Sequence, residues 1–497
     1  MNLKMLRYII GQLLIAEGAL MALPLVTMLI YGEFNMLYTI LIPMAALFVL
    51  GFGLSIRKPE NKTLRAKDGF VVVGLSWIVL SIFGCLPFVL SGLIPNFIDA
   101  YFETVSGFTT TGASVLSSAD FDLLWLGEGM RGIFLWRSFT NWIGGMGVLV
   151  FVLAIMPQQD MKSSRLVHIM RAEMPGPKVD KLVATVKRTA AIMYTIYIAL
   201  TILQAVLLLF GGMHVYEAFC TAFSTAGTGG FAIWGDSMMT FGGTVAHPDF
   251  CVWVVAAFMF IFSINFNLFY LIITGKALVA LCSEELRWFV GFVLIFTSAI
   301  ATNIYHIYGN LGDTVRNAFF QVSNIMSTSG FATADFNTWP HMSKTIILIL
   351  MFIGACAGST GGGIKISRIV ISVKSTWAEI QHMTNPRQVK KVFFEKKSVD
   401  QDTIRGTFAY MVAYILIFFL SFLALALLDG ADIETSFSSV AACINNIGPA
   451  LGDAGPTSNY AFYSYGSKIV LILDMLLGRL EIFPILLLFS PSTWREK

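Results

Sequence analysis

The sequence predicts an all-α polytopic membrane protein with four pseudo-symmetric repeats of span, short helix, polar tract and span, preceded by an N-terminal two-helix hairpin. Three observations predict this fold. The 497 residues are 56% hydrophobic and only 13% charged, about half the charge of a soluble domain. Apolar runs long enough to cross a bilayer follow one another along the chain. Between them, tracts rich in Thr, Ser, Asn and Gly recur about every hundred residues.

A span needs about 20 mostly apolar residues, and the sequence contains ten runs that we read as spans. They lie near residues 7–31, 38–56, 69–92, 131–156, 187–212, 250–274, 287–308, 344–372, 404–428 and 467–490. The first two form the hairpin. The first apolar run is long, has no A-x-A end and is followed at once by a second run, so we expect a retained helix rather than a signal peptide.

Basic and acidic loops alternate along the chain. Lysines and arginines concentrate in residues 57–68, 162–188 and 365–405, whereas the intervening loops are dominated by acids. By the positive-inside rule, the basic loops and both termini face the cytoplasm.

Each loop on the opposite side holds a half-length amphipathic stretch followed by a polar tract. The tracts read "SGFTTTGAS" from Ser106, "STAGTGGFA" from Ser224, "IMSTSGFAT" from Ile325 and "INNIGPALG" from Ile444. Their aligned glycines are Gly112, Gly229, Gly330 and Gly448. The predicted units are residues 1–68 for the hairpin and its loop, then the repeats 69–160, 161–280, 281–400 and 401–497.

Non-helical backbone at membrane depth must line a cavity or lie buried in protein, because lipid offers it no hydrogen bonds. A single such tract is usually a helix end or a turn. Four in equivalent places predict a central ion pore, in which a ring of carbonyl oxygens replaces the water around a cation. The short helices would aim their negative C-terminal ends at this pore.

The predicted span 344–372 is interrupted by "GACAGSTGGG", which is either a flexible cytoplasmic linker or a loop within the membrane below the tracts. Arg479 lies inside the last span, where an arginine is either paired or lines a water pathway. Its candidate partners are Asp474 and Glu481. Three asparagines on returning spans are expected to bond other helices or the tracts: Asn141, Asn265 and Asn267.

The chain resembles the Trk/Ktr/HKT superfamily of potassium transporters, and within it the TrkH-type membrane subunit. The resemblance rests on "SGFTTTGAS", "WRSFTNWIGGMGVLV" from Trp136, "GACAGSTGGGIKISRI" from Gly354 and "LLGRLEIFPILLLF" from Leu476. It implies uptake of K+, the transported ion, across the bacterial cytoplasmic (inner) membrane, with no other cofactor in this chain.

The resemblance also implies which residues act. The K+ filter residues would be Thr110, Thr111, Gly112, Gly227, Thr228, Gly229, Thr328, Ser329, Gly330, Asn446, Ile447 and Gly448. The gate would comprise the loop residues and the pore arginine: Gly358, Ser359, Thr360, Gly361, Gly362, Gly363, Lys365 and Arg479. The family further implies a homodimer and a separate cytosolic TrkA-like regulatory ring that binds NAD or ATP.

Other function classes are less well supported. A transporter of the same fold could conduct or couple sodium, and a carrier of organic solutes could also use broken helices. The carrier predicts inverted halves and charged side chains at the site, whereas the four repeats run in the same direction. We find no catalytic constellation, which argues against an enzyme, and no metal-ligand spacing among the six histidines. The net charge of +3 gives no reason to expect a nucleic-acid partner.

Overall fold

The computed structural model describes residues 2–57, 59, 66–125, 129–147, 186–385, 387 and 390–494. The basic segment holding Lys162, Arg165, Arg171, Lys178 and Lys181 lies outside the described residues, as does the end of the predicted span 131–156.

The N-terminal hairpin packs two apolar helical spans against each other. Its helices are Leu3–Leu20, Ala22–Tyr31 and Tyr38–Ser55, with a 3₁₀ turn at Phe34–Met36. A Cβ atom on Gly51 would lie 2.7 Å from Cγ1 of Ile15 and 2.9 Å from the carbonyl oxygen of Gly11. The glycines therefore permit the close backbone approach that holds helices together in a membrane.

Four repeats follow the hairpin. The first has Ala66–Gly84 with Leu86–Leu90, then Phe97–Phe108, Ser118–Trp125 and Arg131–Gly145. The second has Val186–Phe210, Val215–Ala226, the 3₁₀ turn Phe241–Gly243, Pro248–Phe262, Phe266–Ile273 and Ala277–Leu281. The third has Glu284–Tyr308, Leu311–Ser327, the 3₁₀ turn Phe336–Thr338, His341–Met351 and Ile366–Thr384. The fourth has Gln401–Leu428, Ile433–Ile444, the 3₁₀ turn Gly452–Ala454, Tyr465–Arg479, Phe483–Phe489 and Pro491–Trp494.

We call the short helix that precedes each polar tract its pore helix: Phe97–Phe108, Val215–Ala226, Leu311–Ser327 and Ile433–Ile444. Three of them begin at a polar cap whose side chain accepts a backbone N–H of the first turn, at Asn96, Asn310 and Asp432. The second begins at His214, whose N–H donates to the Glu217 carboxylate at 2.9 Å. The caps set where each pore helix starts, and each ends at a polar tract.

The first and last helices of each repeat differ. Six helical segments of the described chain are long and apolar enough to span a membrane, namely the two of the hairpin and the first helix of every repeat. The returning helices are interrupted: Pro248–Phe262 and Phe266–Ile273 meet at 94°, and non-helical segments follow Met351 and Arg479. Among the described residues, six segments, or seven if the bent pair is one span, are long and apolar enough to cross a membrane, rather than the predicted ten. The sequence indicated a break only in the third repeat.

A small antiparallel hairpin joins the third and fourth repeats. Strand Phe393–Phe394 pairs with strand Lys397–Ser398 across a turn formed by Glu395 and Lys396. Apart from these strands the described chain is helical or irregular, and the predicted fold class is confirmed.

Candidate functional site

The four polar tracts share one backbone conformation. In each, a residue with positive φ is followed two positions later by a glycine with positive φ. The residue between these two donates its N–H to a carbonyl in the last turn of the pore helix, at 2.8–2.9 Å. These donors and acceptors are Thr111 and Ser106, Gly229 and Ser224, Ser329 and Asn324, and Ile447 and Ala442.

This common pattern corrects the predicted register of the second tract. The sequence pattern aligns Gly229 with Gly112, but Gly229 occupies the position of Thr111, and the residue equivalent to Gly112 is Gly230, with φ of 67°. Gly227 precedes the positive-φ residue and caps the pore helix. "AGTGG" has two adjacent glycines, and counting six residues from Ser224, as from Ser106 to Gly112, identifies the second of them.

The tracts form a closed ring. A Cβ atom on each positive-φ glycine would collide with a backbone carbonyl oxygen of another tract. Each oxygen belongs to the residue that precedes the ring glycine of the next tract. Gly112 faces the oxygen of Gly229, Gly230 that of Ser329, Gly330 that of Ile447, and Gly448 that of Thr111, with 2.6 Å between the added Cβ atom and the oxygen in the last case. Each tract therefore contacts the next in the order one, two, three, four and back to one, with glycine at every junction.

The ring is buried, and one side of it opens into a cavity. The residues before the four glycines are all buried: Thr111, Gly229, Ser329 and Ile447. All four positive-φ glycines line the cavity, together with residues of the loops after the tracts. Because every pore helix ends at its own tract, four helix C-termini, each carrying a partial negative charge, converge on the ring.

A buried ion pair fastens the first tract to the second. Nε of Arg137 lies 2.7 Å from a carboxylate oxygen of Glu103, and both side chains are at most 3% exposed. The same carboxylate accepts the hydroxyl of Ser114 and the N–H of Val115, each at 2.9 Å, just after the first tract.

Nη2 of Arg137 donates to the hydroxyl of Ser114 at 3.1 Å, whereas its Nη1 reaches across to the second tract. Its Nη1 donates to the carbonyl of Ala232 at 2.8 Å, and its guanidinium carbon lies 3.6 Å from the ring centroid of Phe231. Neither Arg137 nor Glu103 is among the site residues that the sequence predicted. The signal was available, since an arginine inside an apolar helix and a glutamate in a pore helix are both unusual at membrane depth.

The other tracts are held by amide side chains. Nδ2 of Asn446 donates to Oγ1 of Thr111 at 3.0 Å and to the carbonyl of Met475 at 2.9 Å, which joins the fourth tract to the first. In the third tract, Oδ1 of Asn324 accepts the N–H of Phe331 at 2.7 Å. The repeats are therefore alike in backbone but differ in the side chains that brace them.

The interrupted segment 354–365 is a buried loop against the ring. All its residues are buried, unlike those of a solvated linker. Its backbone bonds to the second repeat: Cys356 N–H donates to Ser263 at 3.1 Å, and Gly358 accepts the N–H of Phe266 at 3.0 Å. Within the loop, Nζ of Lys365 donates to the carbonyls of Gly361 and Gly362.

The predicted gate residues meet the predicted filter residues directly. Gly362 N–H donates to Oγ1 of Thr328 in the third tract at 2.6 Å. A Cβ atom on Gly362 would lie 2.8 Å from the carbonyl oxygen of Asn445, beside the fourth tract. Substitution there would push the loop away from the ring.

Arg479 bridges this loop and the first repeat. Its Nη1 donates to the carbonyl of Thr360 at 2.8 Å, and its Nη2 donates to Gly144 and Gly145 at 2.6 and 2.8 Å. These two glycines end a helix, where a cation is stabilised by the helix dipole.

The alternative partners of Arg479 bind other residues. Both carboxylate oxygens of Glu481 accept from Arg368, at 3.1 and 2.5 Å, and Asp474 accepts from Ser421 at 2.7 Å. The contacts therefore favour a position for Arg479 across the interior over the alternative ion pair.

The three asparagines differ in environment. The side chain of Asn141 lies behind the second tract, where it would meet a Cβ atom on Gly229, but it makes no hydrogen bond among the described residues, so the expected bond is not formed. Asn265 caps the helix that begins at Phe266 by accepting the N–H of Asn267 at 3.0 Å, and it also lies beside Gly358.

Comparison with known proteins places this architecture in a family. Residues 37–496 match the TrkH family, described as cation transport protein. The chain belongs to the TrkH family. It is 33% identical to the Trk system potassium uptake protein TrkH of Salmonella typhimurium, over all of both chains. It is equally similar to the TrkH of Halomonas elongata, again over both full lengths.

A solved structure of the TrkH family has the same fold. The crystal structure of the potassium transporter TrkH from Vibrio parahaemolyticus superposes with a TM-score of 0.86 and 30% identity, and the match covers both chains completely. The relatives are named as transport proteins, in agreement with the expectation that this family member is not an enzyme.

Replacing Arg137 with glutamine would leave the Glu103 carboxylate buried without its ionic partner. We expect the free energy of unfolding in detergent micelles to fall by about 3–5 kcal/mol. Arg316→Gln is the control, because it breaks pairs with Asp313 and Asp249 that are partly exposed and worth at most about 1 kcal/mol. Equal losses for the two variants would contradict the role of the buried pair.

Proposed function

We propose that the chain takes up potassium across the bacterial inner membrane through the ring of four tracts. The filter residues are Thr110, Thr111, Gly112, Thr228, Gly229, Gly230, Thr328, Ser329, Gly330, Asn446, Ile447 and Gly448. Their carbonyl oxygens replace the hydration shell of K+, and the four pore-helix C-termini stabilise its charge. Family membership and the potassium uptake proteins among the relatives support this assignment.

One observation carries the proposal. Each glycine of the ring abuts the carbonyl of the residue that precedes the glycine of the next tract. Four carbonyls are therefore gathered around one axis at the ends of four helices. A carrier of organic solutes would instead need a wider cavity with side-chain contacts to its substrate.

The loop 354–365 and Arg479 form the gate in this proposal. The loop lies against the third and fourth tracts, and Arg479 places a positive charge between it and the first repeat. A fixed cation next to the ring repels K+, and the loop occupies the space beneath it. Conduction then requires both to move aside.

The wider assembly follows from the family resemblance. We propose that the protein is a homodimer with both termini in the cytoplasm. Each chain is divided into units at residues 68, 160, 280 and 400. A cytosolic ring that binds NAD or ATP regulates the dimer. The relatives' names place them in a Trk system, which supports the existence of further components. A sodium-conducting or sodium-coupled form of the same fold is the alternative, and competition between rubidium and sodium for uptake separates the two.

The corrected register gives a test of the filter. Gly230→Ala places a Cβ atom against the carbonyl of Ser329 at a φ of 67°. We expect rubidium uptake into liposomes to fall by roughly 10-fold or more, since about 1.4 kcal/mol of lost ion stabilisation already has that effect. Gly112→Ala should behave alike.

Gly243→Ala is the matched control for this experiment. Gly243 also has a positive φ, of 69°, but a Cβ atom added there would meet no other atom within 4 Å. Uptake by this variant should stay close to that of the unmodified protein. If Gly230→Ala also retained full uptake, the ring would not be the filter.

Arg479→Ala tests the gate. Removing the guanidinium abolishes three hydrogen bonds and the positive charge beside the ring, so we expect rubidium leak through purified protein in liposomes to rise. Arg287→Ala, at an exposed arginine of the helix Glu284–Tyr308, should not change the leak. Unchanged flux with normal expression of Arg479→Ala would argue against a gate role.

A further inference from the structure

The small hairpin Phe393–Ser398 has a strained turn, and residues of this turn contact the rest of the protein. Glu395 and Lys396 both have positive φ, of 50° and 59°, which is unfavourable for residues with a side chain. Two-residue turns of this kind usually contain Asn or Gly. A turn made of Glu and Lys therefore indicates that contacts outside the hairpin compensate for the strain.

Those contacts lie at the start of the third repeat. One carboxylate oxygen of Glu395 accepts the hydroxyl of Ser283 at 2.7 Å and the N–H of Glu285 at 3.0 Å. Ser283 is the N-cap of the helix Glu284–Tyr308, so Glu395 places a negative charge at the positive end of that helix. In return, the N–H of Glu395 donates to Glu284 at 3.3 Å.

Glu285, the second residue of this helix, contacts the gate loop. A carboxylate oxygen of Glu285 accepts the N–H of Ala357 at 2.8 Å, and both residues are buried. Glu285 thus contacts the hairpin through its backbone and the gate loop through its side chain. Movement of the first helical turn would change the loop's hydrogen bonding.

A second connection runs in parallel. Nζ of Lys374 donates to Glu284 and, at 2.9 Å, to the carbonyl of Phe393 in the hairpin. Lys374 lies on the helix Ile366–Thr384, which directly continues the gate loop. The hairpin is therefore tied to the segments on both sides of the interruption.

We propose that the hairpin is the input of the gate, and that its displacement is transmitted through Glu395 and Glu285 to Ala357. This inference rests on the proposed gate role of the loop 354–365. Exposed lysines lie in the hairpin at positions 396 and 397 and just before it at positions 390 and 391, and Phe393 is 53% exposed. This surface fits an acidic face of a cytosolic regulatory protein, which would pull Glu395 away from the helix cap and release the loop.

The test uses the full chain in liposomes of phosphatidylcholine, without any partner protein, and measures rubidium uptake. Glu285→Ala removes the acceptor of Ala357 and should raise basal uptake by roughly 2- to 30-fold, the range expected of coupled residues. Glu285→Gln keeps an acceptor oxygen and should restore low uptake. Glu395→Ala, which does not touch the loop, should raise uptake in the same direction.

The double variant Glu285→Ala/Glu395→Ala decides whether the two act in one path. Its uptake should not exceed that of the more active single variant, whereas multiplied effects would overturn the relay. Glu379→Ala, an exposed glutamate on the helix Ile366–Thr384, is the matched control and should leave uptake unchanged. Elution on size exclusion identifies any variant that fails to fold.

Two failures can be told apart. If Glu395→Ala behaves like the control while Arg479→Ala raises the leak, the relay is wrong and the gate stands. If none of the variants, including Arg479→Ala, changes uptake, the proposed gate fails and the relay fails with it.

Discussion

The close contact between each ring glycine and the carbonyl of the next tract is the constraint on which the rest of the structure depends. It requires glycine at four positions and brings four like-oriented dipoles together. Such dipoles repel one another unless a cation lies between them or other contacts hold them in place. Arg137 with Glu103, Asn324 and Asn446 supply those contacts, which explains why buried polar groups concentrate behind the tracts.

Buried charges are the second theme of the architecture. In a low-dielectric interior a charge is tolerated only with fixed partners. Glu103 and Glu481 each pair with an arginine, whereas Arg479 takes backbone carbonyls as its partners. Carbonyl partners hold a guanidinium without neutralising its charge. The carbonyls of Thr360, Gly144 and Gly145 fix the guanidinium of Arg479 between the loop 354–365 and the first repeat.

The fold and the four equivalent tracts could be predicted from the sequence because both depend on local patterns: apolar runs, capped half-helices and recurring glycine tracts. The predicted register of the second tract is wrong because "AGTGG" offers two glycines. The hydrogen bond from Gly229 to Ser224 and the positive φ of Gly230 identify the second as the equivalent of Gly112. Contacts between residues far apart in the chain could not be predicted from the sequence. Nothing local joins Glu103 to Arg137, or Glu395 to Ser283, since these pairs form only when the helices pack.

The most direct measurement is the position of rubidium in crystals of the full chain, recorded by anomalous scattering at the rubidium edge. If the carbonyls of the tracts coordinate the ion, anomalous density will lie on the axis of the ring, beside the oxygens of Thr111, Gly229, Ser329 and Ile447. Ordered tracts without density between them, in crystals where rubidium is found elsewhere, would contradict the account.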